Sequence, residues 1–125
     1  MQIETLDHVN LRTTRVDEMV AWYTGILNLT NGYRPDFPFP GAWLYAGDRA
    51  VVHLVGIEGA DGTGSEVELK LEHFAFRASD ATAFEATLLE NGVEFQKAEI
   101  AEINTVAFNV WDPDGNHIHV DFETG

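Results

Sequence analysis

At 125 residues the chain is long enough for one domain, and its lack of cysteine excludes disulfide bonds and thiolate metal ligands. The formal net charge of −14 repels phosphate backbones and anionic lipid, so nucleic acid and membranes are poor partners. No stretch resembles a signal peptide or a membrane span, and we expect a cytoplasmic protein.

The first half of the chain predicts one strand, one helix and three further strands. Alternating residues predict the first strand at about 3–12, and apolar residues at helical spacing predict a helix from Val16 to Leu27. Thr14 is the expected helix cap. The three short strands are expected near residues 29–34, 42–45 and 50–57, with a turn at Gly47-Asp48.

The second half predicts the same order of elements after a Gly-rich linker at residues 58–69. A strand at 70–78 precedes a helix that is capped by Ser79 or Asp80 and ends at Asn91-Gly92. Three strands are expected near residues 93–98, 103–111 and 116–122, with a turn at 112–115.

Two sequence echoes relate the halves. Residues 6–12 (LDHVNLR) match residues 71–77 (LEHFAFR), and residues 45–53 match residues 111–119. The echoes align His8 with His73 and His53 with His119. We therefore predict an α+β fold in which two βαβββ modules, about 1–57 and 70–125, form one domain in a pseudo-twofold arrangement, with a curved mixed sheet around a metal site.

Strand alternation indicates which way the histidines point. In the last strand His117, His119 and Asp121 lie opposite the face formed by the apolar residues Ile118, Val120 and Phe122. His8 and His73 also lie opposite the apolar face of their strands, whereas His53 has apolar neighbours on both faces. With a pseudo-twofold axis between the modules, His8, His53, His73 and His119 would meet around one divalent metal, for which we favour Fe²⁺, Zn²⁺ or Ni²⁺.

These residues resemble the vicinal oxygen chelate superfamily, which includes glyoxalase I, extradiol dioxygenases, and fosfomycin- and bleomycin-resistance proteins. The resemblance rests on four segments, which are residues 6–9, Trp22-Tyr23, residues 71–74 and residues 112–119. It implies a metal bound by His8, His53, His73 and His119 and a small-molecule substrate that chelates the metal through vicinal oxygens. It also implies a homodimer.

The chain departs from the family pattern at His119, where members commonly have glutamate. His117 and Asp121 are alternative ligands on the same face. Isomerisation of the glyoxalase I type draws on metal-bound glutamates as bases, and this chain has histidine at both corresponding positions.

Three functions follow from the resemblance. The extradiol dioxygenase pattern implies His8, His73 and His119 as ligands with His53 as the acid–base catalyst, and we favour this chemistry. The first alternative is a glyoxalase I-like lyase or isomerase. The second is a non-catalytic, resistance-type binding protein, whose pocket would be walled by aromatic residues, namely Trp43, Tyr45, Trp111 and those of residues 34–40.

Overall fold

The computed structural model describes residues 1–59 and 71–124. Residues 60–69 of the predicted linker lie outside these ranges. The chain divides into two compact units, Met1–Ser65 and Glu66–Gly125, and each is described by itself. The formation of one domain by both modules stays a prediction. In the two described ranges, no helix has the length and apolarity needed to cross a membrane.

The first module is a four-stranded mixed sheet with one helix. Its elements are β1 (Val9–Thr13), α1 (Val16–Gly25), β2 (Thr30–Gly32), β3 (Gly41–Ala46) and β4 (Arg49–Gly56). The strand order is β1-β4-β3-β2, with β1 parallel to β4 and the other pairs antiparallel. The helix therefore connects β1 to the far edge of the sheet, and the last strand returns beside the first.

The second module repeats this topology. Its elements are β5 (Phe74–Arg77), α2 (Ala81–Glu90), β6 (Gln96–Ile100), β7 (Thr105–Trp111) and β8 (His117–Glu123). The order is β5-β8-β7-β6, and β5 is parallel to β8. A 3₁₀ turn at Ala101–Ile103 joins β6 to β7. The predicted α+β fold with two βαβββ modules is confirmed.

Each sheet buries one face under its own helix. In the second module Phe84 of α2 packs edge-on against Phe108 of β7, with ring centroids 5.4 Å apart. Phe108 also packs against Phe122 of β8, and both rings are at least 98 % buried. In the first module the buried residues are Met19 and Tyr23 of α1 with Ala42, Leu44, Val52 and Leu54 of the sheet. The opposite face of each sheet contains the histidines.

The helix caps agree with the sequence prediction in one module and not in the other. The Asp80 carboxylate accepts a hydrogen bond from the Ala83 N–H at 3.1 Å, which confirms Asp80 as the cap of α2. The prediction of Thr14 as the cap of α1 is wrong, because α1 starts after Arg15 without a side-chain cap. The hydroxyl of Thr13, which is fully buried at the end of β1, instead accepts from the Arg15 N–H.

The first strand of each module is shorter than the sequence predicts. Pairing begins at Val9 in β1 and at Phe74 in β5, not at residues 3 and 70. Because β8 begins only at His117, Leu71 and Glu72 have no strand of that sheet beside them. The alternating residues before Val9 likewise do not pair with another strand, and Ile3 and Leu6 among them are exposed.

Two adjacent leucines of α2 provide a test of the second core. Leu88 is fully buried and Leu89 is 67 % exposed. Replacement of Leu88 by Ala should lower the free energy of unfolding by about 2–5 kcal/mol, because it removes buried methyl groups and leaves a cavity. Replacement of Leu89 by Ala should change it by less than about 0.5 kcal/mol. Chemical denaturation of both variants measures the difference, and equal losses would contradict this packing.

Candidate metal centre

In the first module His8 and His53 are stacked. His8 directly precedes β1, and His53 lies in β4 in register with Asn10 of β1 and Trp43 of β3. The His8 and His53 ring centroids are 3.8 Å apart with an angle of 9° between the planes. The Trp43 ring stacks on His53 at 4.0 Å. The sequence did not decide which face of β4 His53 occupies. In the structure its ring stacks between His8 and Trp43, and the residue is 8 % exposed.

Hydrogen bonds indicate which ring nitrogen of these two histidines carries the proton. Asp7 Oδ2 lies 2.7 Å from His8 Nδ1, and the Ala50 carbonyl oxygen lies 3.2 Å from His53 Nε2. Both oxygens are acceptors, so the facing nitrogens are the donors. A neutral His8 therefore has its lone pair on Nε2, and a neutral His53 has its lone pair on Nδ1.

In the second module three histidines cluster. His73 directly precedes β5, whereas His117 and His119 point to the same face of β8. The His73 and His119 rings stack at 3.8 Å with an angle of 6°, as the repeat-related pair does in the first module. His117 lies 5.4 Å from His73 and 4.8 Å from His119, measured between ring centroids. One nitrogen from each of the three rings lies within 4.8 Å of the others.

One carboxylate contacts two of these histidines. Glu72 Oε2 lies 2.8 Å from His117 Nδ1, and Glu72 Oε1 lies 3.2 Å from His73 Nδ1. The other ring nitrogen of His117, Nε2, lies 2.8 Å from Asn109 Oδ1. Glu72 therefore favours the Nδ1–H form of both rings, as carboxylates do beside metal-ligating histidines.

In both modules strand pairing begins only after the histidine. This late start explains why an acid can contact the histidine that follows it in sequence. Successive side chains in a strand point to opposite faces, so an acid cannot contact the histidine that follows it within a ladder. Asp7-His8 and Glu72-His73 both lie just before their strands. The aspartate and glutamate can therefore turn toward the histidines.

The turn before β8 fixes the start of that strand. The Asp112 side chain is 4 % exposed. Its Oδ1 accepts hydrogen bonds from the backbone N–H groups of Asp114 and Asn116, both at 2.9 Å, and its Oδ2 accepts from the Asn116 side chain at 2.8 Å. The predicted turn thereby positions His117, the next residue.

The electrostatics favour the neutral forms of His53 and His119 and the ionised forms of Asp7 and Glu72. Burial lowers the pKa of His53 below 6.5, and the neighbouring His8 lowers it further. Burial also lowers the pKa of His119, assisted by His73 and His117. The contacts with their histidine partners lower the pKa of Asp7 and of Glu72. Neutral imidazole is the form that binds metal.

The donor set fits a transition metal. Imidazole nitrogens suit zinc, nickel, copper and iron, whereas calcium and magnesium prefer oxygen. Among the described residues, the buried Oδ1 atom of Asp121 has no hydrogen-bond partner, and Asp121 shares the face of His119. An unpaired anionic oxygen at this face favours a cation nearby.

An aromatic group lies beside His53. Phe37 and Phe39 stack at 5.3 Å, and Phe37 lies 6.3 Å from Trp43. The Arg34 guanidinium contacts both phenylalanine rings and donates to the Phe39 carbonyl at 2.9 Å. Part of the predicted aromatic wall is therefore assembled within the first module.

The structure thus places His8 beside His53 and His73 beside His119, and these two stacked pairs occupy equivalent positions in the repeat. That both pairs bind one metal stays a prediction. Sequence reasoning missed the roles of Asp7, Glu72 and Asn109. The signal for the first two was present, since an acid precedes the histidine in both copies of the first echo.

The family model of the Glyoxalase/Bleomycin resistance protein/Dioxygenase superfamily matches residues 5–120. The chain belongs to this superfamily. It is 26 % identical over 127 residues to Glyoxylase I 4 of Arabidopsis thaliana, covering 96 % of this chain and 71 % of the relative. The expected resemblance is confirmed.

Solved structures of the superfamily have the same fold. A glyoxalase family protein from Bacillus anthracis matches with a TM-score of 0.80 and 22 % identity, over 99 % of this chain and 98 % of the other. Lactoylglutathione lyase from Agrobacterium tumefaciens matches with a TM-score of 0.71 and 14 % identity, over 98 % and 96 %. Because these identities are low, the similarity to the solved structures establishes only the fold of this chain.

The lowered pKa values predict a pH dependence for the metal-free protein. His53 and His119 should titrate below 6.5 in an NMR titration of their ring protons. Because the unfolded chain then takes up protons before the folded chain does, stability should be constant above this range and fall as the pH drops below about 6.5. Thermal unfolding between pH 8 and pH 5 measures the fall. Titration of either ring above 6.5 would contradict the burial described here.

Proposed function

We propose that this superfamily member is a divalent-metal-dependent enzyme that acts on a small metabolite with two vicinal oxygens, by dioxygenase-type chemistry. The observation that supports the proposal best is the occurrence of two repeat-related, stacked histidine pairs, His8 with His53 and His73 with His119. Both pairs lie on the sheet face that the helix does not cover. We propose that His8, His53, His73 and His119 surround one metal, as the match to the superfamily implies.

Within this set the hydrogen bonds support His8 and His73 as the ligands. Each has its Nδ1 directed at an acid, Asp7 or Glu72, so that Nε2 keeps the lone pair. His119 is the third ligand, in the position where relatives commonly have glutamate. When bound, the metal supplies Lewis-acid polarisation of the substrate oxygens, or electron transfer to dioxygen if it is iron.

His53 is better suited to acid–base catalysis. Its Nε2 donates to the Ala50 carbonyl, and its lowered pKa keeps the ring neutral near pH 7. A neutral, stacked imidazole of this kind can accept a proton from a substrate hydroxyl at Nδ1. Stacking between His8 and Trp43 holds the ring plane during that transfer.

The residues next to His53 favour a substrate with an aromatic or otherwise planar body. Trp43 and Phe37 supply apolar ring surface beside it, and Phe37 is 39 % exposed. Planar molecules such as catechols would combine vicinal oxygens for the metal with a ring that contacts these side chains. The class of substrate is thus a small aromatic diol.

We also propose that the enzyme is a homodimer, as the resemblance to the superfamily implies.

The alternative is a glyoxalase I-like lyase. It is favoured by the relative named Glyoxylase I 4, which the chain matches over 96 % of its length. The histidines in both positions expected for glutamate argue against it, because an imidazole whose lone pair binds the metal cannot also accept a proton. Turnover of methylglyoxal with glutathione would decide for this alternative.

Metal analysis of protein purified without an affinity tag tests the first step. We expect about one divalent ion per chain, and replacement of His73 by Ala should weaken its binding by more than about 100-fold, beyond the loss typical of residues that only orient a ligand. Arg77→Ala is the matched control, since Arg77 lies in β5, which directly follows His73, and its guanidinium pairs at the surface with Glu123. Unchanged metal affinity in His73→Ala would refute the ligand assignment. Absence of metal under all loading conditions would leave the non-catalytic binding protein as the function.

Oxygen uptake with a panel of catechols tests the reaction. The iron-loaded protein should consume oxygen with at least one of them. Replacement of His53 by Ala should lower kcat by about 100- to 10,000-fold while the metal content stays unchanged, because an acid–base catalyst is lost and the ligands remain. Loss of metal from this variant would instead make His53 a ligand, and no uptake with any catechol would contradict the dioxygenase chemistry.

A further inference from the structure

The edge of the second sheet is open along the whole of β6. This strand is the last in the order β5-β8-β7-β6, and all five of its residues, Gln96–Ile100, are exposed. Along one side its backbone N–H and C=O groups therefore pair with no strand of the described ranges. The equivalent edge strand of the first module, β2, has only three residues and no charged side chain. Of the two edges, β6 is thus the better template for a further strand.

Two residues of β6 with opposite charges lie on the helix-covered side of the sheet. Lys97 pairs in register with Phe108, and its ammonium lies 5.5 Å from the Phe108 ring centroid and 3.2 Å from the Glu85 carboxylate of α2. Glu99 is two residues further on and therefore lies on the same side. Lys97 is also one of only two lysines in a chain with a net charge of −14. An attractive charge contact between two copies of the chain has few other places to form.

The sequence of β6 is complementary to itself in the antiparallel direction. Opposed residues of antiparallel strands point to the same face, so pairing of two copies must be centred on one residue. Centred on Ala98, all five residues pair, and Lys97 of each copy lies opposite Glu99 of the other. Centred on Lys97 or on Glu99, like charges would lie opposite each other. An ammonium has three N–H donors, so Lys97 can keep its contact with Glu85.

The same register brings an apolar side chain to a pocket of the second copy. Ile100 is 42 % exposed and would lie opposite Gln96 of the other copy. Both are on the histidine face, because Gln96 pairs with Asn109, whose amide contacts His117. Gln96 borders a pocket of about 430 Å³ that is lined by Val93, Glu94, Phe95, Gln96 and Trp111. Each copy would contribute one isoleucine and one pocket, as a twofold axis requires.

We propose that two copies of the chain pair through β6 in an antiparallel ladder centred on Ala98. This ladder joins the second sheets of both copies, each of four strands, into one continuous sheet. The opposite charges fix the register on one face, and Ile100 fills the pocket of the other copy on the other face. The inference rests on the homodimer of the proposed function, whose contact it specifies, but not on the metal or the chemistry.

Analytical ultracentrifugation of the full-length chain tests the ladder, at up to about 300 µM because short interfaces associate weakly. The unsubstituted chain should form a dimer. Lys97→Glu and Glu99→Lys should each weaken dimerisation by at least about 10-fold, since like charges then lie opposite each other. An equimolar mixture of these two variants should dimerise again, because every charge then faces its opposite. Glu85→Gln is the control, since it removes only the contact of Lys97 within its own chain.

The outcomes separate this contact from the proposed homodimer. A dimer that persists in both single variants would overturn the inference and leave a homodimer formed by another surface. A mixture that stays as monomeric as its components would overturn the inference as well. A monomeric unsubstituted chain would overturn both the inference and the homodimer, whereas the metal and oxygen-uptake measurements would still decide the chemistry. Circular dichroism establishes that each variant is folded.

Ile100→Ser tests the pocket contact. It should weaken dimerisation by about 10-fold, because two isoleucines lose buried apolar surface in each dimer. Leu89→Ser is the matched control, since Leu89 is 67 % exposed on α2 and lies outside the ladder. Equal effects of the two substitutions would overturn the register.

The absence of cysteine from the chain allows a direct measurement at the centre of the ladder. Opposed residues of an antiparallel pair have Cα atoms about 4.5–5.5 Å apart, which a disulfide can span. Ala98→Cys should therefore give a disulfide-linked dimer on oxidation with diamide. Ala86→Cys, at an exposed position of α2, should stay monomeric under the same conditions. Equal cross-linking of the two variants would overturn the inference.

Discussion

Parallel pairing between the first and last strands of each module is the constraint on which the candidate centre depends. This pairing places Asn10 opposite His53 and Ala75 opposite His119, and it brings the residue before each first strand beside the last strand. His8 and His73 are those residues. A helix must cross the sheet between the first strand and the other three, and it covers one face. The histidines are consequently left together on the other face.

The two faces of each sheet have opposite requirements. The helix-covered face is apolar and closely packed, as the contacts of Phe84, Phe108 and Phe122 show. The other face keeps imidazoles in hydrogen-bonded contact with acids and, in the second module, with an asparagine. Because successive side chains of a strand point to opposite faces, neighbouring residues lie in different environments. A shift of one position in the β8 register would exchange His119 with a core residue such as Ile118 or Val120.

The sequence was sufficient for the order of elements, because helical spacing, alternation and the two echoes all concern neighbouring residues. It was also sufficient to align His8 with His73 and His53 with His119 as repeat equivalents. It was insufficient for the strand starts, since pairing at Val9 and Phe74 depends on where the partner strand begins. For the same reason the sequence did not reveal the role of Asp7 and Glu72. If they lay within a strand, their side chains would point away from the histidines.

The face of His53 and the neighbours of His117 also required the structure. Apolar residues surround His53 in sequence on both sides, and only the register with Trp43 decides its orientation. Asn109 is distant in sequence from Glu72, yet both contact one imidazole. Contacts of this kind depend on β7, β8 and the residue before β5 together, and no local pattern in the sequence records them.

The match between the halves also has a consequence for their history. Two identical modules related by symmetry would contribute an even number of histidines, whereas this chain has five. Duplication within one chain allows one copy to change while the other is kept. Trp43 and Asn109 occupy equivalent positions beside His53 and His119, and Val51 and His117 are equivalent by the same offset. His53 thus has an aromatic ring beside it where His119 has an amide, a difference that a symmetric assembly of identical single modules cannot have.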